Sequence, residues 1–171
     1  DHIREKDGLW AVLCWLSITA ATGMSPAQAL ADHWRTFGRS YYQRHDFEGL
    51  EADAAHAAID ALRVRLPGLV GQVLAGSTVA QADDFAYRSP VTGAASAHGG
   101  IRLRLTDGSR LVLRLSGTGT EGATLRMYLE RYRRDGGPGD PAPLLAPLVE
   151  AGSALLQLRE RFGREQATVI T

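Results

Sequence analysis

The sequence predicts an α+β fold: an antiparallel sheet of about four strands packed against two helices. Three observations carry that expectation. Three runs alternate with period two: Ile101, Leu103 and Leu105; Leu111, Leu113 and Leu115; and Leu125, Met127 and Leu129, each interleaved mostly with arginines and polar residues. Asp107-Gly108 between the first two runs is a hairpin signal. Segments of helical period, Gly49 to Leu66 and Leu144 to Phe162, bracket these strands and supply helices for one sheet face.

Each element follows in order. Leu9, Val12, Leu13 and Leu16 recur at helical spacing, and Trp10, Cys14, Trp15 and Ile18 make Gly8 to Ala21 apolar on most sides. That pattern predicts a buried helix that needs protein around it. Ser25-Pro26 opens a second helix, with Ser as N-cap and Pro in the first turn, and Gly38 closes it. Ser40 to Phe47 reads as a strand. Gly49 to Leu66 is an amphipathic helix with Leu50, Ala54, Ala58, Ile59 and Leu62 inward, stopped by Pro67-Gly68. Val79 to Tyr87 is a strand, and Ser89 to Gly100 is rich in turn residues. Asp135 to Pro143 is a Gly/Pro connector, Leu144 to Phe162 the last helix, and residues 163–171 a polar tail.

Composition bounds the function. With 44% hydrophobic and 22% charged residues, the 171-residue chain has globular composition and room for a core. Lys+Arg and Asp+Glu are equal at 19 each, so overall charge gives no pull toward nucleic acid or anionic membrane. One cysteine, Cys14, allows no intrachain disulfide, which agrees with a reducing, cytoplasmic setting. No apolar run has the length of a membrane span. The five histidines show no metal spacing. Asp83-Asp84, as strand neighbours, point to opposite faces and read as a solvated pair; Arg131, Arg133 and Arg134 read as a solvated strand end.

The informative segment is Arg114 to Arg126, RLSGTGTEGATLR, a strand, a glycine-rich turn and a second strand. Gly117, Gly119 and Gly122 permit close backbone approach and positive φ, and successive N–H groups in such a turn can cradle an anion. Ser116, Thr118 and Thr120 add hydroxyl donors. Arg114 and Arg126 are out of phase with the leucine rows and point away from the core, where two guanidinium forks suit a phosphate dianion. Between Arg102 and Arg134 eight arginines face three acids, a local excess of five positive charges on a neutral chain. The residues alone leave two readings open: a phosphate site, or a glycine hairpin with solvated arginines, since a lone glycine-rich loop is weak evidence.

The run RLSGTGTEGATLRMYLERY resembles the phosphate-binding loop in the fourth domain of the α-D-phosphohexomutases, in their phosphoglucomutase branch. DHIREKDGLWA (Asp1 to Ala11) is similar to the end of that family's third domain. HWRTFGRSYYQRHDFE (His33 to Glu48) resembles the crossover into the fourth, QADDFAYRSPVTG and GIRLRLTDGSRLVLRLSGTG its sheet, and TVIT its C-terminus. The resemblance implies residues 1–24 as the helical remnant of a third, α/β domain and residues 25–171 as the fourth. It implies interconversion of glucose 1-phosphate and glucose 6-phosphate through a phosphoserine and glucose 1,6-bisphosphate, with Mg²⁺ held in the second domain. The fourth domain grips the phosphate that is not transferred, a role falling on Arg114, Ser116, Gly117, Thr118 and Arg126. Lys6 matches a substrate-contacting lysine that is also expected to aid proton transfer.

The family's serine loop (Thr-Ala-Ser-His-Asn-Pro), metal loop (Asp-Gly-Asp-Gly-Asp) and sugar loop (Gly-Glu-Glu-Ser-Phe-Gly) do not occur in the sequence. The chain is therefore expected to be part of a longer enzyme, to have the preceding domains as partners and to be inactive alone. The Thr22–Pro26 segment is the expected hinge. Two alternatives stand beside this: a mutase for mannose or N-acetylglucosamine phosphates, and a non-catalytic module binding nucleic acid or protein.

Overall fold

The structure, a computed structural model, describes residues 6–119 and 122–171. The chain forms two compact units, one of Asp1–Arg39 with Arg133–Gly139 and one of Ser40–Tyr132 with Asp140–Thr171.

The first unit holds helices α1 (Gly8–Thr22) and α2 (Pro26–Phe37). Asp7 caps α1 by accepting from the Trp10 N–H at 3.0 Å, and Gly23 ends it at φ 69°. Ser25 and Gln28 form a reciprocal capping box on α2. No residue of α1 is buried, and Leu9 is 80% exposed. The expectation of a buried helix is therefore not met within this chain, because a run of apolar residues signals a need for cover and not what supplies it. Arg39 ties the connector to α2: its guanidinium stacks on Trp34 at 4.3 Å and donates to the Gly137 and Gly139 carbonyls at 2.6 and 3.0 Å.

The second unit is α+β, as expected, but its main sheet has seven strands where about four were expected. The strands are β1 (Arg39–Leu50), β2 (Val73–Leu74), β3 (Ser77–Asp84), β6 (Ile101–Leu105), β7 (Arg110–Gly119), β8 (Gly122–Arg133) and β9 (Val169–Ile170), in the spatial order β2-β3-β6-β7-β8-β1-β9. A separate hairpin pairs β4 (Tyr87–Arg88) with β5 (Ala95–Ser96). The extra strands β2 and β9 are two residues long, too short for alternation to register in the sequence. The tail is not free: β9 pairs with β1, Ile170 opposite His45 and Val169 opposite Asp46.

One face of the sheet is apolar. Phe47, Ile101, Leu103, Leu111, Leu113, Leu125, Met127 and Leu129 are at most 2% exposed and form one cluster with α3 (Ala52–Leu69) and α4 (Ala142–Leu156). Helix α3 buries Ala55, Ala58, Ile59, Leu62, Leu66 and Leu69, so Ala55 takes the inward place expected of Ala54. Pro67 lies inside the last turn of α3 and does not stop it. A proline there forfeits a single backbone bond, which packing of Leu66 and Leu69 offsets. The last helix is broken: Gln157 adopts φ 53° between α4 and α5 (Leu158–Phe162). Gly152 lets α4 approach the sheet, since a Cβ there would stand 2.7 Å from the Met127 sulfur.

Polar contacts order both faces of the sheet. Asp83 and Asp84 are not a solvated pair. Asp83 accepts from Arg102 at 2.7 and 3.1 Å, whereas Asp84 accepts from Arg63 of α3 at 2.7 Å and contacts His98 Nδ1 at 2.5 Å. Burial opposes ionisation of Asp84, but the bonds and charges of His98 and Arg63 outweigh it and lower its pKa. Arg131 is not a solvated strand end either. It is 15% exposed and donates to Ser109 Oγ at 2.9 Å and to the Ala75 carbonyl at 3.3 Å, knitting the β6–β7 turn to the β2–β3 hairpin.

His45 on β1 is 7% exposed, and burial lowers its pKa below the usual 6.5 despite the neighbouring Asp46 charge. The unfolded chain then takes up a proton before the folded one, so the stability linked to His45 is complete above pH 6.5 and is lost as pH falls through the lower folded value. Urea denaturation midpoints measured from pH 7.5 to 5 should fall, and His45→Gln should flatten that slope.

Candidate phosphate-binding site

The β7–β8 hairpin carries the site. Its inward rows, Leu111, Leu113 and Leu115 against Leu129, Met127 and Leu125, fix the register and so the outward rows. Arg114 lies directly opposite Arg126, and Ser116 opposite Thr124. Beyond that point the pairing slips, with Gly119 opposite Gly122, so β7 carries one residue more than β8 between Ser116 and Gly119. That is a β-bulge, a device that re-aims side chains and frees backbone donors. The expected glycine-rich turn is thus mostly strand, since β7 runs to Gly119 and β8 resumes at Gly122. Thr120 and Glu121 lie outside the described residues, as do the side chains of residues 117–119.

Arg114 is exposed, and Ser116 and Arg126 are half-buried. The Arg114 stem packs on Gly100, where a Cβ would stand 2.5 Å from Arg114 Cγ and 2.9 Å from the Leu113 carbonyl, at φ 141°. Glycine is required there for the arginine to lie as it does. Gly122 has the same role at the other strand: its φ is 97°, and a Cβ would stand 2.8 Å from the Leu50 carbonyl at the end of β1. Lys6 belongs to the first unit, exposed, one residue before the cap of α1.

Part of the arginine charge is paired with acids. Arg102 pairs with Asp83, Arg110 with Glu130, and Arg133 with Asp135. Among the described residues the Arg114 side chain forms no ion pair or hydrogen bond. Arg126 Nε is buried without a hydrogen-bond partner and stands 3.6 Å from Asp46 Oδ2. Two like charges opposite one another across a ladder repel, and an anion between them relieves this. A groove of about 650 Å³ on the same polar face, lined by Tyr42, Arg44, Arg110, Tyr128 and Glu130 among others, includes neither arginine. Its Arg110 is already paired with Glu130.

Asp46 is the partner that sequence reasoning missed. It sits on β1, far from the loop in sequence, and only the adjacency of β1 and β8 brings it to Arg126. Gly122→Ala combines positive φ with a backbone clash, so it should cost about 1–3 kcal/mol of stability. A urea midpoint equal to that of the parent would contradict this placement.

Comparison with known proteins completes the picture. Residues 39–168 match the family described as phosphoglucomutase-1, C-terminal domain, and residues 1–37 match phosphoglucomutase/phosphomannomutase, alpha/beta/alpha domain III. Phosphoglucomutase-1 of Homo sapiens is 46% identical over 179 aligned residues, and the phosphoglucomutase of Rhizobium radiobacter 45% over 173. A Solanum tuberosum relative named "Phosphoglucomutase, cytoplasmic" is 43% identical. Each alignment spans all of this chain and 32% of the relative, so the chain corresponds to about a third of their length. The crystal structure of the Paramecium exocytosis-sensitive phosphoprotein parafusin, a phosphoglucomutase in its open form, superposes with a TM-score of 0.87 at 35% identity, covering 99% of this chain and 30% of that one. The paired arginines therefore stand on a known scaffold, and the chain belongs to the phosphoglucomutase family.

Proposed function

We propose that this chain supplies the phosphate clamp of a phosphoglucomutase, gripping the phosphate of glucose 1-phosphate or glucose 6-phosphate that is not being transferred. The observation that carries the reading is the register of Arg114 opposite Arg126, beside a slip in pairing between Ser116 and Gly119. Two guanidinium forks give up to four charge-assisted bonds to one phosphate dianion, and Ser116 adds a hydroxyl donor. Held at its distal phosphate, the sugar is positioned without taking part in bond making. Lys6 is proposed as a further substrate contact.

In the intact enzyme the phosphoserine and the Mg²⁺ of the reaction would come from preceding domains. The described residues gather no group of three or more His, Cys, Asp or Glu side chains fit to hold a metal. Turnover through glucose 1,6-bisphosphate and a cytoplasmic setting belong to the same proposal, the latter supported by the names of plant relatives.

Calorimetric titration of the 171-residue chain tests the clamp. Glucose 6-phosphate should bind saturably, and Arg126→Ala should weaken it by about 10- to 100-fold, the scale of a lost charge-assisted contact. Tighter binding of an oligonucleotide than of glucose 6-phosphate, or a silent Arg126→Ala, would overturn the assignment. The same chain should show no interconversion of the two glucose phosphates in a coupled assay.

A further inference from the structure

Asp46 presents a puzzle for an anion site. Its carboxylate is 5% exposed, and it stands on the polar face of β1 beside the arginine that the clamp reading assigns to phosphate. A buried negative charge next to an anion-binding guanidinium weakens anion binding by simple Coulomb repulsion. The geometry supplies an opposing benefit.

Asp46 Oδ1 accepts from Arg44 Nε at 2.9 Å, and Oδ2 stands 3.6 Å from Arg126 Nε. Arg44 is itself 35% exposed and held on β1, where its backbone N–H donates to the Thr171 carbonyl at 2.8 Å and its carbonyl accepts from the Thr171 N–H at 3.0 Å. The carboxylate is therefore anchored from one side by Arg44 and faces Arg126 on the other. It approaches Arg126 at Nε, the inner edge of the guanidinium, and that atom is buried. The outer edge of the fork, the two terminal nitrogens, is left for a ligand. Directly opposite, Arg114 has no such carboxylate among the described residues, and repulsion from it would push an untethered Arg126 away from the pairing position. Gly122, pressed on the Leu50 carbonyl, keeps β8 against β1 at the hairpin end and so keeps the Asp46–Arg126 separation short.

We propose that Asp46 is a positioning residue: it holds Arg126 by its inner edge against the repulsion of Arg114, so that the two guanidinium groups converge on one phosphate before the ligand arrives. This inference rests on the clamp reading above. It is a case of preorganisation, in which the charge that opposes the ligand at a distance aids it by fixing the group that binds it.

The proposal makes a prediction of unusual sign. Removing the negative charge would strengthen phosphate binding if Asp46 acted only through its field, whereas loss of positioning weakens it. Asp46→Asn, of nearly equal shape, should weaken binding of glucose 6-phosphate and inorganic phosphate to the 171-residue chain by about tenfold, one charge-assisted contact. In an Arg126→Gln background the same substitution should leave affinity unchanged or raise it, because only the field remains to be felt. Equal or tighter binding by Asp46→Asn alone overturns the proposal. So does a tenfold loss that persists with Arg126→Gln, which marks a structural role. If Asp46→Asn fails to fold by circular dichroism, Arg44→Gln releases the anchor from a more exposed site. It should then weaken phosphate binding several-fold only where Arg126 is present, and no effect there overturns the inference. Affinity unaffected by Arg126→Gln alone would sink the clamp reading itself, a result distinct from the others.

Discussion

The structure of this site turns on a repulsion: two arginines set directly across a β-ladder from one another. In register, Cα atoms of such pairs lie about 4.5–5.5 Å apart, and like charges there destabilise the sheet. Elsewhere on the same face acids offset part of this cost, although Arg104 stands directly opposite Arg110. Arg102 has Asp83, and Arg110 has Glu130. At Arg114 and Arg126 the compensation is partial, one buried carboxylate at 3.6 Å from one of the two. This partly compensated pair is the feature on which the proposed anion site rests.

The rest of the fold serves to hold that arrangement. The leucine rows of β7 and β8 set the register from the apolar side, so a slip by one residue would bury the arginines and expose the core. Helices α3 and α4 press on those rows, with Gly152 admitting α4 to contact distance with Met127. Two glycines act locally: Gly100 yields space to the Arg114 stem, and Gly122 lets β8 begin against Leu50. After Ser116 the register slips, so β7 carries one residue more than β8 before its end.

How much of this was legible in the sequence depended on the range of the interaction. The β6, β7 and β8 strands, the Asp107-Gly108 turn and the outward phase of Arg114 and Arg126 were readable because they rest on alternation within ten residues. The capping box at Ser25 and Gln28 was half readable, its serine and proline seen and its glutamine not. Asp46 was invisible as a site residue, since its meaning comes from β1 lying beside β8 across some eighty residues of chain. The pairing of β9 with β1 was lost for the same reason, as was the engagement of Asp84 with Arg63 and His98. The break at Gln157 has no glycine or proline to announce it. The apolar character of α1 was read correctly, but what covers it lies beyond anything the periodicity encodes. Family resemblance supplied the residue roles that spacing left open, and the comparisons bear on the family and the scaffold.

The most direct measurement of the central claim is an amide and arginine side-chain nitrogen–proton NMR titration of the 171-residue chain with inorganic phosphate at fixed ionic strength. The account predicts saturable shifts concentrated at the backbone N–H groups of Ser116 to Gly119 and at the Arg114 and Arg126 guanidinium groups, following one binding curve. Shifts centred instead on Tyr42, Arg44 and Arg110 in the neighbouring groove, or none that saturate, would contradict it.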